Sequence, residues 1–224
     1  EAATSKEQQI DLTQGWSLWS TYIHPEGENA ANISNVMSAL IGDYYGDELS
    51  GGYTNSNMVI VKNWTGDVFW PLFNINQIGD IIRGEGYQVN MVSEQSFVVS
   101  GDQTPSDYTI TLPEGWFILG YLHEEANDPS IMMAPIIGEY DLMTMGYPNS
   151  TLIILKDYLG NVFWPQFNIN SLDDGMLPGQ AYQVKNFNSI DFNYPSNDAS
   201  SGRFGYSEQD RNIYYEKALN TGNN

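Results

Sequence analysis

The chain reads FWPLFNIN at residues 69–76 and FWPQFNIN at residues 163–170, differing only at Leu72 and Gln166. The match extends outward. VIVKN-WTG-DV (59–68) precedes the first copy and IILKD-YLG-NV (153–162) the second. Gly86-Tyr87-Gln88-Val89 follows the first, Ala181-Tyr182-Gln183-Val184 the second, and Gly15-Trp16 upstream matches Gly115-Trp116. Self-similarity on this scale marks a structural unit built twice. A block reused in tandem more often binds, spaces or adheres than catalyses.

Within the unit, the apolar run Met58–Val61, a turn at Trp64-Thr65-Gly66 and a resumed strand at Val68–Trp70 predict a hairpin, with Gly66 supplying the positive φ. The same hairpin recurs around Tyr158-Leu159-Gly160, and Pro71 closes the second strand of the first copy. Further strands are expected over Gly86–Val92 and Ser96–Ser100, and a β-rich stretch around Ile10–Ile23 is broken by a turn at Thr13-Gln14-Gly15. Ile33, Val36, Met37, Leu40 and Ile41 have the spacing of one buried helical face, with Asn32 to cap its start and Gly42 to end it. In the second copy Asp128-Pro129 starts the helix, and Pro135 falls inside it and should kink or stop it. Residues 46–57 read as a loop.

The fold expected is mainly β, a β-rich α+β chain of two tandem small β-sandwich or barrel-like repeats, each with one helix after its first strand. The boundaries are a polar linker at 1–9, repeat one at 10–101, a linker at 102–108, repeat two at 109–195 and a polar tail at 196–224. A short helix is expected in that tail, where Ser207 and Asp210 resemble a capping box.

Charge narrows the partners. The 224 residues carry 28 acidic against 8 basic side chains, a net of −20. Nucleic acid needs clustered Lys and Arg, and anionic membrane surfaces are disfavoured for the same reason. An acidic surface keeps a secreted protein soluble and attracts cations. The absence of cysteine removes disulfides and thiolate metal sites. No apolar run approaches the roughly 18 residues of a membrane-inserted span. The start at Glu1 rather than Met suggests a processed or excised fragment.

The repeated residues supply the candidates. Trp16 and Trp116 are expected in the core of each unit. Phe69 and Trp70 face opposite ways in a strand, as do Phe163 and Trp164, so one of each pair lies near the surface. Trp70 and Trp164 are therefore the candidate ligand-contacting aromatics. Asn74, Asn76, Asn168 and Asn170 either fix turns through their side-chain amides or hydrogen-bond a glycan's hydroxyls beside those aromatics. Lys62 and Lys156 are expected to pair with carboxylates on a solvated strand face. His24 with Glu26 and Glu28, and His123 with Glu124 and Glu125, form a weak metal-ligating pattern, because the second copy lacks the spacing of the first. No cofactor is expected beyond calcium held loosely by Asp43, Asp47, Glu48, Asp173 or Asp174. Enzyme signatures are missing: no nucleophile elbow, phosphate loop, His-Glu-x-x-His or cysteine nucleophile.

Gly15-Trp16-Ser17-Leu18-Trp19-Ser20, Gly115-Trp116, the middle motif VKN-x-x-G-x-x-[FY]-W-P and the closing Gly86-Tyr87-Gln88-Val89 resemble repeats of bacterial extracellular proteins. Similar modules occur in marine Bacteroidota surface proteins and in phage structural proteins; Ala181 departs from the closing glycine. The resemblance covers residues 10–195 and supplies no catalytic residues. It implies a non-catalytic structural or adhesion module of a secreted, cell-surface or virion assembly, whose partners are proteins of that assembly or a polysaccharide. The alternative is a glycan-binding accessory module, and a hydrolase is a third reading.

Overall fold

The computed structural model describes residues 5–46, 51–105 and 107–196. Half one runs β1 (Lys6–Leu12), β2 (Gly15–Trp19), β3 (Ile23–His24), α1 (Ile33–Val36), β4 (Asp43–Tyr45), β5 (Gly52–Thr54), β6 (Met58–Lys62), β7 (Val68–Trp70), β8 (Ile75–Asn76), β9 (Tyr87–Met91) and β10 (Gln95–Gln103). Half two runs β11 (Ile110–Leu112), β12 (Gly115–Gly120), α2 (Pro129–Met132), α3 (Ala134–Ile137), β13 (Leu152–Lys156), β14 (Val162–Trp164), β15 (Ile169–Asn170), β16 (Ala181–Asn186) and β17 (Ile190–Phe192). The protein is mainly β, with antiparallel sheets in two halves and no closed barrel among the described residues.

Each half has the same five-stranded sheet, ordered β2-β9-β6-β7-β8 in the first and β12-β16-β13-β14-β15 in the second. A second layer lies across each. In half one it is β1 paired with β10, which continues onto β3; in half two it is the β11–β17 ribbon. The layers enclose separate cores, one with Trp19, Val61, Phe69, Tyr87 and Phe97, the other with Leu119, Leu155, Phe163, Tyr182 and Phe192.

The hairpins form as expected, with Gly66 at φ 96° and Gly160 at φ 93°. A side chain at the end of the first hairpin strand holds each turn. Asn63 Oδ1 accepts from the amides of Thr65 (3.1 Å) and Asp67 (2.8 Å), and Asp157 Oδ1 from those of Leu159 (2.9 Å) and Asn161 (2.8 Å). The Asn or Asp after the repeated lysine is thus an Asx-turn residue.

Several boundaries differ from expectation. β1 begins at Lys6, inside the stretch expected as linker. Gln8 faces inward, and its Oε1 accepts from Thr21 Oγ1 (2.9 Å) and the Tyr22 amide (3.0 Å), so a polar letter occupies a buried strand position. β10 runs on to Gln103, past the expected start of the second linker. Residues 52–54, expected as loop, pair with β4. The predicted single helix is two short pieces: α1 ends at Met37 (φ −102°), and a 3₁₀ turn follows at Ser38–Leu40. Half two breaks at the corresponding Met133 (φ −94°), with Pro135 accommodated at the start of α3. Half one breaks at the same position with no proline there, so Pro135 alone does not set the break. Asn32 and Asp128 cap as predicted, each accepting from the amide two residues on. The expected helix in the tail lies outside the described residues.

The halves meet through reciprocal contacts. The Ser20 amide donates to Gly179 O (3.0 Å) and the Gly120 amide to Gly84 O (2.9 Å), at corresponding positions of the repeat. Bridges join Trp19 to Gln180 and Leu119 to Glu85. Leu18, Ile118 and Ala181 pack together at the centre against Tyr158.

Glu85 sits at this junction, where burial raises its carboxyl pKa and a hydrogen bond from Trp64 Nε1 (3.0 Å) partly offsets the rise. Its counterpart is the neutral Gln180. A carboxyl whose pKa is raised on folding contributes stability that is fully present below its unfolded pKa and is lost as pH rises through the folded value. Glu85→Gln keeps an acceptor for Trp64 and is expected to raise the melting temperature at pH 7. The gain should shrink toward zero as melts are run down to pH 4. A gain independent of pH would mean the carboxylate is not the cause.

Candidate binding faces

Cross-strand partners point to the same side of a sheet, so the registers define two faces. On the outer face of half one lie Trp16, paired with Asn90, and Gln88, paired with both Leu18 and Lys62; Lys62 in turn pairs with Val68, and Trp70 with Ile75. On that of half two lie Trp116, paired with Lys185, and Gln183, paired with both Ile118 and Lys156; Trp164 pairs with Ile169. No carboxylate belongs to either set, in a chain with 28 of them, while three of the eight basic residues do: Lys62, Lys156 and Lys185.

This corrects the expectation for Trp16 and Trp116. They are 44% and 47% exposed. The strand turns Ser17 and Trp19 inward, so Trp19 is the core indole, and half two carries Phe117 and Leu119 at the matching inward positions. The lysines are corrected too. Lys62 Nζ lies 5.2 Å from the Trp16 ring centre; Lys156 lies 4.7 Å and Lys185 5.6 Å from that of Trp116. A cation over an indole face is held by the ring quadrupole, and among the described residues none of these lysines forms an ion pair with a carboxylate.

Trp70 and Trp164 are the outward members of their pairs but are only partly exposed. Phe73 stands edge-on to Trp70 at 4.7 Å and Phe167 to Trp164 at 4.9 Å. These phenylalanines, each 55% exposed, are the open members of the two pairs. They ride on the 3₁₀ turns Pro71–Phe73 and Pro165–Phe167.

All four candidate asparagines have turn roles. Asn74 and Asn168 end those 3₁₀ turns in the left-handed region, both at φ 51°, a conformation Asn tolerates better than most residues. Asn76 Nδ2 donates to Asn32 Oδ1 (2.9 Å) while its Oδ1 accepts from the Gly79 amide (2.9 Å). Asn170 Nδ2 donates to Asp128 Oδ2 (3.3 Å) while its Oδ1 accepts from the Leu172 amide (3.0 Å). In both halves the second asparagine ties the sheet edge to the helix cap. The polar groups near the exposed indoles are instead Gln88, Asn90, Gln183 and the three lysines, which the sequence reading did not single out as ligand-binding.

No group of three or more His, Asp or Glu side chains fit to hold a metal exists among the described residues. His123 is buried between Tyr121 (5.5 Å) and Tyr194 (5.4 Å), and burial lowers its pKa. Asp173 and Asp174 border a cavity of about 170 Å³ in half two together with Asp157, already committed to its turn. Asp47 and Glu48 lie outside the described residues. No described helix is long and apolar enough to cross a membrane. Comparison with family models, with curated proteins and with solved structures finds no match.

Proposed function

We propose that this chain is a non-catalytic adhesion module of an extracellular surface or particle-associated assembly, gripping polysaccharide through the outer faces of its two five-stranded sheets. The supporting observation is the composition of those faces. Each offers an exposed indole, flanking lysine and amide side chains and no paired carboxylate, on a protein of net charge −20. A sugar ring stacks its C–H face on an aromatic ring, amides serve its hydroxyls, and lysines favour acidic sugars.

The test is retention by immobilised neutral and acidic polysaccharides, a β-glucan and a polyuronate, for Trp16→Ala, Trp116→Ala and the double variant. Losing one stacking contact should weaken retention about threefold to tenfold. The double variant should lose far more, because two linked sites act by avidity. Retention on the polyuronate should also fall with added salt. Equal retention of wild type and double variant would sink the proposal.

A second reading rests on a separate observation. Leu72, Phe73 and Ile75 in half one, and Phe167 and Ile169 in half two, are exposed apolar side chains at matching sheet ends. These suit docking of a protein neighbour in the assembly. Loss of partner assembly in Phe73→Ser/Phe167→Ser, with polysaccharide retention unchanged, would favour it.

A further inference from the structure

We infer that the two halves are keyed to one another. At two pairs of corresponding positions that meet across their reciprocal contact, one half carries a side chain and the other a glycine. Each half therefore fits its counterpart and not a copy of itself. This goes beyond the adhesion reading and does not depend on it.

The first key is Gly86 against Ala181. These correspond in the repeat, at the head of the Tyr-Gln-Val strand, and they face each other at the junction. A Cβ on Gly86 would lie 2.2 Å from the Ala181 Cβ and 2.8 Å from Ile118 Cγ2. There is room for one methyl group, and half two supplies it.

The second key is Ser20 against Gly120, which also correspond. A Cβ on Gly120 would lie 2.8 Å from Glu85 O and 3.0 Å from the Ser20 Cβ. Here half one carries the side chain. The Ser20 hydroxyl donates to Gln180 O and accepts from the Tyr121 amide (3.0 Å), so one hydroxyl spans the junction to two backbone groups of half two.

The departures from repetition at these positions are thus complementary. Half one paired with its like would set Ser20 against Ser20 and leave a gap between two glycines at 86. Half two paired with its like would force Ala181 onto Ala181 and leave no hydroxyl for Tyr121. An interface with the reciprocal pattern of a symmetric dimer has become selective for unlike halves, through clashes built against like pairing. The partner that fits half one's surface is half two, from the same chain or, in an exchanged dimer, from a second copy.

The experiment is thermal unfolding of the full chain as wild type, G86A, A181G and G86A/A181G. G86A adds a second methyl where one fits, and its melting temperature should fall by about 5 °C or more, as overpacking costs imply. A181G should fall less. In the double variant the methyl moves to the other half while Ile118 Cγ2, a side-chain end, turns aside. Adding G86A to A181G should therefore raise the melting temperature or leave it unchanged. If G86A is too unstable to purify, a double variant that purifies and melts near A181G supports the keying. A double variant at or below the sum of the two single losses overturns it, as does one that cannot be purified when A181G can.

Discussion

Replacing Trp19 with alanine is expected to produce the largest stability loss of any single side-chain truncation in half one. The indole is fully buried, tilted against Tyr87 at 5.2 Å and edge-on to Phe97 at 5.3 Å, so it joins the sheet to the β1–β10 layer. Truncating a buried Trp forfeits its transfer free energy and leaves a cavity, together about 3–5 kcal/mol. That is a large share of a typical domain's stability, and it corresponds to a melting-temperature drop on the order of 10 °C. Half two indicates how the loss can be reduced. It carries Phe117 and Leu119 where half one carries Ser17 and Trp19, dividing similar volume differently between the same two inward positions. Trp19→Leu combined with Ser17→Phe should therefore recover part of what Trp19→Leu alone loses. A Trp19→Ala protein melting within a degree or two of wild type would contradict the packing described.

Gly146→Ala is expected to have the second large effect, with Gly52→Ala as its counterpart. Neither glycine is retained for its φ. A Cβ on Gly146 would lie 2.2 Å from Gln166 O, and one on Gly52 would lie 2.1 Å from Leu72 O. Both obstacles are backbone oxygens of the 3₁₀ turns that present Phe167 and Phe73, so no side chain can swing away. Relief requires the turn to move off the neighbouring chain, at a cost of about 1–3 kcal/mol. The Tyr147 amide bonds Pro165 O at 3.1 Å across the same contact, and its hydrogen exchange should accelerate in Gly146→Ala. Unchanged protection of that amide, with an unchanged melting temperature, would refute the steric account.

The hairpins were legible in the sequence because Gly66 and Gly160 mark positive φ between β-branched runs, a local signal that tertiary packing did not override. The facing of the repeated aromatics was legible only in part. Phe69 and Trp70 do point opposite ways, but the open ring beside each Trp is Phe73 or Phe167. The core tryptophan was misread for a physical reason. Leu18 and Trp19 are both buried, one against the other half and one in the core, so the alternation that would have told Trp16 from Trp19 is broken by an inter-half contact no local pattern records. The first residues of β1 were read as linker because Gln8 occupies an inward position, and the lysines were misassigned because overall acidity says nothing about which residues a register brings side by side. The differences at Gly86 and Ser20 carry no signal in the sequence; only their meeting across the junction gives them meaning.

In each half the second layer pairs the first strand with the last, β1 with β10 and β11 with β17. Long-range pairing of this kind must close nearly the whole half as a loop before it is rewarded, which slows folding. On a ribosome half one can seal once Gln103 has emerged, at about 5–20 residues per second. Its face bearing Leu18 and Gly86 must then wait for β12 and β16 to be synthesised. Through that interval the nascent chain presents an unmatched apolar edge, and the bare Gly86 makes a like half on a neighbouring ribosome a poor substitute.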